Sequence, residues 1–453
     1  MKADTVIRNC TIVRHDGAVR AGIAVHDGRI SAVCEDRMLP DAARVIDAEG
    51  AFVIPGCIDP HVHVDWPEWD FAEGTVSTTK AAAAGGITTI INHLSGPGSL
   101  VDIFEERKAV IERSSIVDAA FHIGIFSMEQ VGQIKAVAGL GISSFKFFLP
   151  YRGTEVVPPL VGIDDGIVYA GFEAIAGLGA VARALVHAEN VEIFFMLKER
   201  ALASGRGDEV EWDEVRPEVC EIDGIRRVIT FSEHTGCPAY IVHISTGEGA
   251  EAVRDAKARG VDIVGETCPQ YLTLVAKDVD RTLGKVNPPI RRNENHGKRL
   301  WELLACGDLD CIGSDHAPCA KKHKKDFWDA YVGVAGIQTL LPVMLSEGVN
   351  KGRISLQKLV EITSYNTART FGMYPKKGAI EVGSDADLVL LDMEKKQVVR
   401  SDRLHHISDF SLFEGKELKG WPVLTMVRGC VVMENGEITG QEGGGRFVSR
   451  PVR

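Results

Sequence analysis

The sequence predicts an α/β protein: a (β/α)8 TIM-like barrel carrying a small β-sandwich formed by its N- and C-terminal segments. Short apolar runs alternate with helix-patterned stretches through the middle of the chain. Both ends alternate instead in the manner of strands, with two-residue turn signals between the runs.

Eight runs in the middle read as strands: residues 52–58, 87–91, 119–125, 143–149, 184–187, 239–244, 262–265 and 311–314. Helix-patterned segments such as 101–113, 249–259 and 298–305 lie between them. Eight β-then-α units in about 320 residues indicate a closed parallel barrel. The alternative, a doubly wound open sheet, lacks its Gly-x-Gly-x-x-Gly after the first strand. At the ends, Ile23-Ala24-Val25-His26 and Arg29-Ile30-Ser31-Ala32-Val33 flank Asp27-Gly28, a hairpin signal, and Asn435-Gly436 repeats the style. Neither end is long enough for its own core. The expected division is a β-sandwich of 1–51 plus 377–453 and a barrel of 52–376.

Composition narrows the function. The 453 residues are 45% hydrophobic and 25% charged, the mixture of a globular protein with a sizeable core. Net charge is -12 and the longest basic run is Lys321-Lys322-His323-Lys324-Lys325, so no basic face is offered to nucleic acid. No apolar run reaches membrane-spanning length and Met1-Lys2-Ala3-Asp4 opens no signal peptide, so no membrane partner is expected. Ten cysteines without a C-x-x-C pair fit reduced thiols in a cytoplasmic protein.

Barrel enzymes place their chemistry at the C-terminal ends of strands. The first strand ends Asp59-Pro60-His61-Val62-His63, which puts His61 and His63 on one face, able to grip one cation. Alone, H-x-H also describes a pair of surface histidines. Strands five, six and eight, however, end Val186-His187-Ala188-Glu189, Val242-His243-Ile244 and Gly313-Ser314-Asp315-His316. Four histidines and Asp315 converging on one rim favour a metal centre over separate core histidines. In strand four Phe145, Phe147 and Leu149 share the outward face and leave Lys146 pointing inward. A buried ammonium tends to lose its charge, and a neutral amine captures carbon dioxide as a carbamate able to bridge two cations. A lysine paired with a buried carboxylate is the other reading. His93, His122 and His234 read as structural, His316 as a support to the ligands, and Asp59 as a group that orients one of them.

This pattern resembles the binuclear amidohydrolases. Within them, Pro55-Gly56-Cys57-Ile58-Asp59-Pro60-His61, Val186-His187-Ala188-Glu189-Asn190 and Gly265-Glu266-Thr267-Cys268-Pro269-Gln270-Tyr271-Leu272 resemble the hydantoinase/dihydropyrimidinase group. Gly383-Ser384-Asp385-Ala386-Asp387-Leu388 continues the match, which runs from roughly residue 5 to residue 450. The resemblance implies two divalent ions per chain, zinc first and manganese or cobalt as alternatives. It assigns His61 and His63 to one, His187 and His243 to the other, carbamylated Lys146 as bridge and Asp315 to the first. It also implies a homotetramer.

The activity implied is ring opening of a hydantoin- or dihydropyrimidine-type cyclic amide to an N-carbamoyl amino acid. A hydroxide shared by ions about 3.5–4 Å apart, its pKa lowered toward about 7, attacks the ring carbonyl. Asp315 takes the proton and passes it to the departing nitrogen. Tyr151, five residues after Lys146, reads as a donor to the developing oxyanion or as an ordinary loop aromatic. Asn287 takes the place of a family substrate-contacting residue. Trp66, Trp69 and Phe71 read equally as an apolar pocket for a ring substituent or as a folded hydrophobic loop.

Near relatives separate at single positions. Dihydroorotases typically read H-x-H-x-R, whereas Asp65 stands here and would repel a substrate carboxylate. Allantoinases usually lack the tyrosine, although His316-Ala317-Pro318-Cys319 and Ala335-Gly336-Ile337-Gln338 are similar to theirs. Non-enzymatic dihydropyrimidinase-like scaffolds keep the fold and lack the ligands, while all six ligand positions are filled here.

Overall fold

The computed structural model describes residues 2–64, 69–152, 162–207 and 209–452. Asp65 and Trp66 lie outside the described residues. Eight parallel strands stand in sequence order around the barrel: Cys57–Val62, Ile87–Leu94, Asp118–Gly124, Ser144–Phe148, Arg183–His187, Ala239–Ile241, Ile263–Thr267 and Cys311–Ile312. The outer strands meet at the C-terminal rim, where Val62 bridges His316 and the His63 N–H donates to the His316 carbonyl at 2.7 Å. That closure brings strand one's histidines against the end of strand eight.

Helices cover the outside, as their patterning predicts. Residues 101–113 and 298–305 fall within Leu100–Ser114 and Asn295–Cys306, and 249–259 overlaps Gly247–Ala258, whose C-cap is Arg259. Phe145, Phe147 and Leu149 are buried in the surrounding core, with the Phe147 ring 5.9 Å from that of Phe172 on helix Asp165–Ala176. Among the described residues no helix is long and apolar enough to cross a membrane.

The two ends build two sheets. One orders Arg29–Cys34, Gly22–His26, Ala3–Arg8 and Ala42–Asp47. The other orders Glu437–Ile438, Cys430–Glu434, Glu417–Val427, Leu388–Val398, Phe52–Pro55, Thr11–Arg14 and Gly17–Arg20. Ile7, Ile12, Ile23, Val25, Leu388, Leu390 and Met426 pack between them, a sandwich core drawn from both ends of the sequence. Both hairpin signals act as expected. Asp27 and Gly28 take φ of 49° and 72°, Asn435 and Gly436 53° and 93°, the left-handed pairs that a type I′ turn requires.

One expected strand is two. The run 52–58 divides at Gly56: Phe52–Pro55 pairs with Leu388–Val398 and Thr11–Arg14, and only Cys57–Val62 enters the barrel. The chain passes between the sheets where a Cβ on Gly56 would lie 2.1 Å from Thr88 Oγ1, so only glycine fits.

Two buried cationic side chains join sandwich to barrel. Lys377, 1% exposed, places Nζ 2.5 Å from Asp118 at the foot of strand three, 3.0 Å from Asp385 and 2.6 Å from Asp387. The segment around Phe447 pairs with Ala119, and Arg450, fully buried, donates to Ser144 Oγ at 3.0 Å and to the Phe121 carbonyl.

Candidate metal centre

Strand one carries Asp59 and His61 inward, and its extension carries His63 to the mouth. The His61 and His63 rings lie 5.4 Å apart, and their Nε2 atoms are 3.3 and 3.7 Å from Asp315 Oδ1. Across the barrel the His187 and His243 rings pack edge to face at 4.3 Å, and His243 stands 5.2 Å from His61. His243 and Asp315 hold left-handed backbone, φ 42° and 50°, a conformation non-glycine residues adopt at an energetic cost where function demands it.

Two carboxylates fix two of the imidazoles. Glu266, on strand seven, lies 2.8 Å from His61 Nδ1 and also accepts the Tyr240 hydroxyl at 2.8 Å. Glu189, two residues past His187, lies 2.7 Å from His187 Nε2 and takes the buried Arg216 guanidinium at 3.2 Å. Burial pushes the Glu266 carboxyl up to about 8. Once ionised it only accepts, and His61 then carries its proton on Nδ1 and presents Nε2, while the Glu189 contact on Nε2 leaves His187 to present Nδ1.

Burial governs the charges. It holds the His63 imidazole down at about 3, with the nearby Lys146 charge adding, and holds His61, His187 and His243 well below their usual range. Burial also lowers the Lys146 ammonium, against the pull of Glu266 and Asp315, and raises the Asp315 carboxyl, against the pull of Lys146. Neutral imidazoles and a neutral amine are the forms that bind cations and carbon dioxide.

Comparison with known proteins gives this arrangement a family. The amidohydrolase family model matches residues 239–432. The L-hydantoinase of Paenarthrobacter aurescens is 37% identical to the chain, covering 99% of it and 98% of its own length. The chain belongs to the amidohydrolase family. An allantoinase of Rubrobacter xylanophilus is 38% identical over 99% of this amidohydrolase and 98% of its own length. Among solved structures, the L-hydantoinase from Arthrobacter aurescens superposes with a TM-score of 0.93 at 35% identity, covering 99% of this chain and 100% of that one.

The residues of this amidohydrolase fit a pair of cations. Lys146 Nζ, fully buried, and His243 Nδ1 have no hydrogen-bond partner among the described residues. Buried polar atoms left so are costly unless a ligand takes them up. The donors are imidazoles, a carboxylate and an amine, a set suited to zinc and its neighbours.

Other expected residues fall in different places. Tyr151 is buried with its ring edge-on to His187 at 5.4 Å. Burial raises its hydroxyl well above the ordinary phenol range, opposed by the Arg216 charge and the Asn287 side chain, so it stays a donor. Asn287 is buried and accepts the Trp212 indole N–H at 3.0 Å. Phe71 begins helix Phe71–Ala84 and is buried under the Arg107 guanidinium, 4.6 Å from its ring. Trp69 lines an outer groove of about 720 Å³ with Lys80, His405 and Glu442. Neither of these contacts involves His61, His63, His187 or His243.

Asp59 does not orient an imidazole: its Oδ1 accepts the backbone N–H groups of His61 and Ser314, both at 3.1 Å, and Glu266 takes the His61 ring instead. His316 ties strand eight to helix Phe71–Ala84 through Thr78 at 3.2 Å and to the Gly336 N–H at 3.2 Å. His122 bonds Ser144 Oγ and the Pro60 carbonyl, a structural role as expected. His93, also read as structural, lies inside the cluster: one ring nitrogen each of His61, His63 and His93 falls within 4.8 Å of the others. The sequence reading missed Glu266 and Arg216 as well. The signal for Glu266 was present, a carboxylate in the apolar strand Ile263–Thr267, fully buried and therefore in need of a partner.

Proposed function

We propose that this amidohydrolase opens a hydantoin- or dihydropyrimidine-type ring by hydrolysis, giving an N-carbamoyl amino acid. The observation that supports this is the meeting at one rim of His61, His63, Lys146, His187, His243 and Asp315, with the Tyr151 ring edge-on to His187.

In this reading His61, His63 and Asp315 hold one divalent ion and His187 and His243 another. Zinc is the first choice and manganese or cobalt the alternatives, with Lys146 carbamylated between the two positions. The ions would supply an acidified water and a polarised ring carbonyl at neutral pH. Asp315 accepts the proton of the attacking water, and its carboxyl, raised by burial, returns it to the departing ring nitrogen. Tyr151 donates to the oxygen on which charge develops. Asn287 orients the C(=O)-NH-C(=O) edge, and Trp66, outside the described residues, is the residue assigned to the ring substituent.

Allantoin is the second reading, favoured by the 38% identity to the Rubrobacter enzyme. Turnover of hydantoin, dihydrouracil, allantoin and an unsubstituted cyclic imide by the metal-loaded enzyme decides between them. Fastest turnover of allantoin would overturn the first reading, and failure on all four rings would overturn both. The reading carries a homotetramer, to be checked by light scattering. It also carries a cytoplasmic location, consistent with ten cysteines that are all free thiols.

A further inference from the structure

Barrel strand two ends Asn92-His93-Leu94, and the reaction described above leaves His93 without a part in it. Its ring, 2% exposed, lies 4.7 Å from that of His61, inclined at 60°, and 4.7 Å from that of His63, nearly parallel at 17°. Neither ring nitrogen has a hydrogen-bond partner among the described residues. Leaving a buried polar atom unsatisfied is costly, and an apolar ring would pack there without that penalty. The unsatisfied imidazole therefore points to a ligand, and the atoms nearest it belong to the H-x-H pair.

We propose that His93 is a third imidazole ligand of the cation held by His61 and His63. This rests on the metal centre of the preceding section and adds a donor from a strand that otherwise supplies none to it. The two cation positions then differ. Beside the Lys146 bridge, one has three imidazoles and Asp315 and the other two imidazoles, so the first holds imidazole-preferring ions such as zinc or cobalt the more tightly.

A crystal structure of the zinc-loaded protein tests this directly. A His93 nitrogen should lie about 2.0–2.1 Å from one ion. A water on that nitrogen, with both ions beyond bonding distance, overturns the proposal. Cobalt titration of the metal-free protein gives an independent reading in solution. His93→Phe and His93→Asn should weaken the tighter of two cobalt sites by tenfold or more, at least what loss of an outer partner does, and change its visible absorption. Folding is checked by circular dichroism. Superimposable titrations and spectra for wild type and both variants would overturn the assignment of His93 while leaving the metal centre standing. A wild-type protein that binds no cobalt would remove the centre itself, and His93's role with it.

Discussion

Glu266 Oε1 lies 2.8 Å from His61 Nδ1 and accepts the backbone N–H of His243 at 3.0 Å, so one carboxylate braces a ligand of each proposed cation. Glu266→Gln keeps the shape but offers the His61 ring an amide N–H, favouring the wrong tautomer. The variant is expected to fold and to lose metal affinity by about ten- to a hundredfold. Metal content after dialysis against graded chelator measures it, and an unchanged retention curve would exclude the role.

Lys146→Ala removes the proposed bridge. The variant should retain at most a fraction of the metal and lose turnover, with partial rescue by short carboxylic acids that reproduce the two oxygens. Reloading of the metal-free wild type should be faster with bicarbonate present. Full activity in the alanine variant would remove the bridging role.

Tyr151→Phe deletes one hydroxyl and keeps the ring against His187. Loss of one oxyanion donor typically costs about 2.7–4 kcal/mol, so kcat should fall on the order of a hundredfold while KM moves less. A variant that keeps its kcat on the best substrate of the panel would make Tyr151 a packing residue. The allantoin reading would then be the better one.

Acid should destabilise the metal-free protein in a defined window. Burial depresses the His406 imidazole to about 4 from its ordinary 6.5. The folded state therefore binds fewer protons than the unfolded one below 6.5. The associated stability is fully present above pH 6.5 and is lost as pH falls toward 4. A shift of that size corresponds to about 3 kcal/mol. The buried histidines of the site add losses of the same sign, so His406→Leu should make the fall in melting temperature between these limits shallower without abolishing it, and identical profiles for variant and wild type would refute the assignment.

Lys377→Met leaves Asp118, Asp385 and Asp387 facing one another without their buried cation, although Arg428 still reaches Asp118 at 3.0 Å. Breaking a buried pair on one side typically costs about 3–5 kcal/mol. A denaturant midpoint equal to that of wild type would show that the cluster adds nothing.

The barrel and most of the proposed ligands were legible because each is a local pattern. Strand four reads Phe145-Lys146-Phe147, and alternation alone turns the lysine inward, where the structure has it fully buried. His187 and His243 were legible because each ends an apolar run. His93 also ends an apolar run, but it reads as structural in the sequence. Its neighbours His61, His63 and His122 come from strands one and three, a juxtaposition that only barrel closure creates. Phe71 failed differently. It follows the H-x-H motif closely in sequence, yet Asp70 caps the helix that it begins, accepting from Ala72 and Glu73, and turns the ring into the core. The division at Gly56 was hidden because both halves of 52–58 are apolar and extended, and hydrophobicity does not say which sheet a strand joins.

Arg450 bears on the order in which this protein can fold during its synthesis. Its guanidinium closes over Ser144 and the Phe121 carbonyl, beneath strands three and four. Those strands leave the ribosome long before residue 450 does. Early domains commonly fold while the remainder of a chain is still being translated. Here Phe371 and Met373 pack against the barrel interior first, and Val448 and Arg450 complete its floor only when translation has passed residue 450. A nascent chain stalled short of that point should remain protease-sensitive, and native resistance should arrive as one late step.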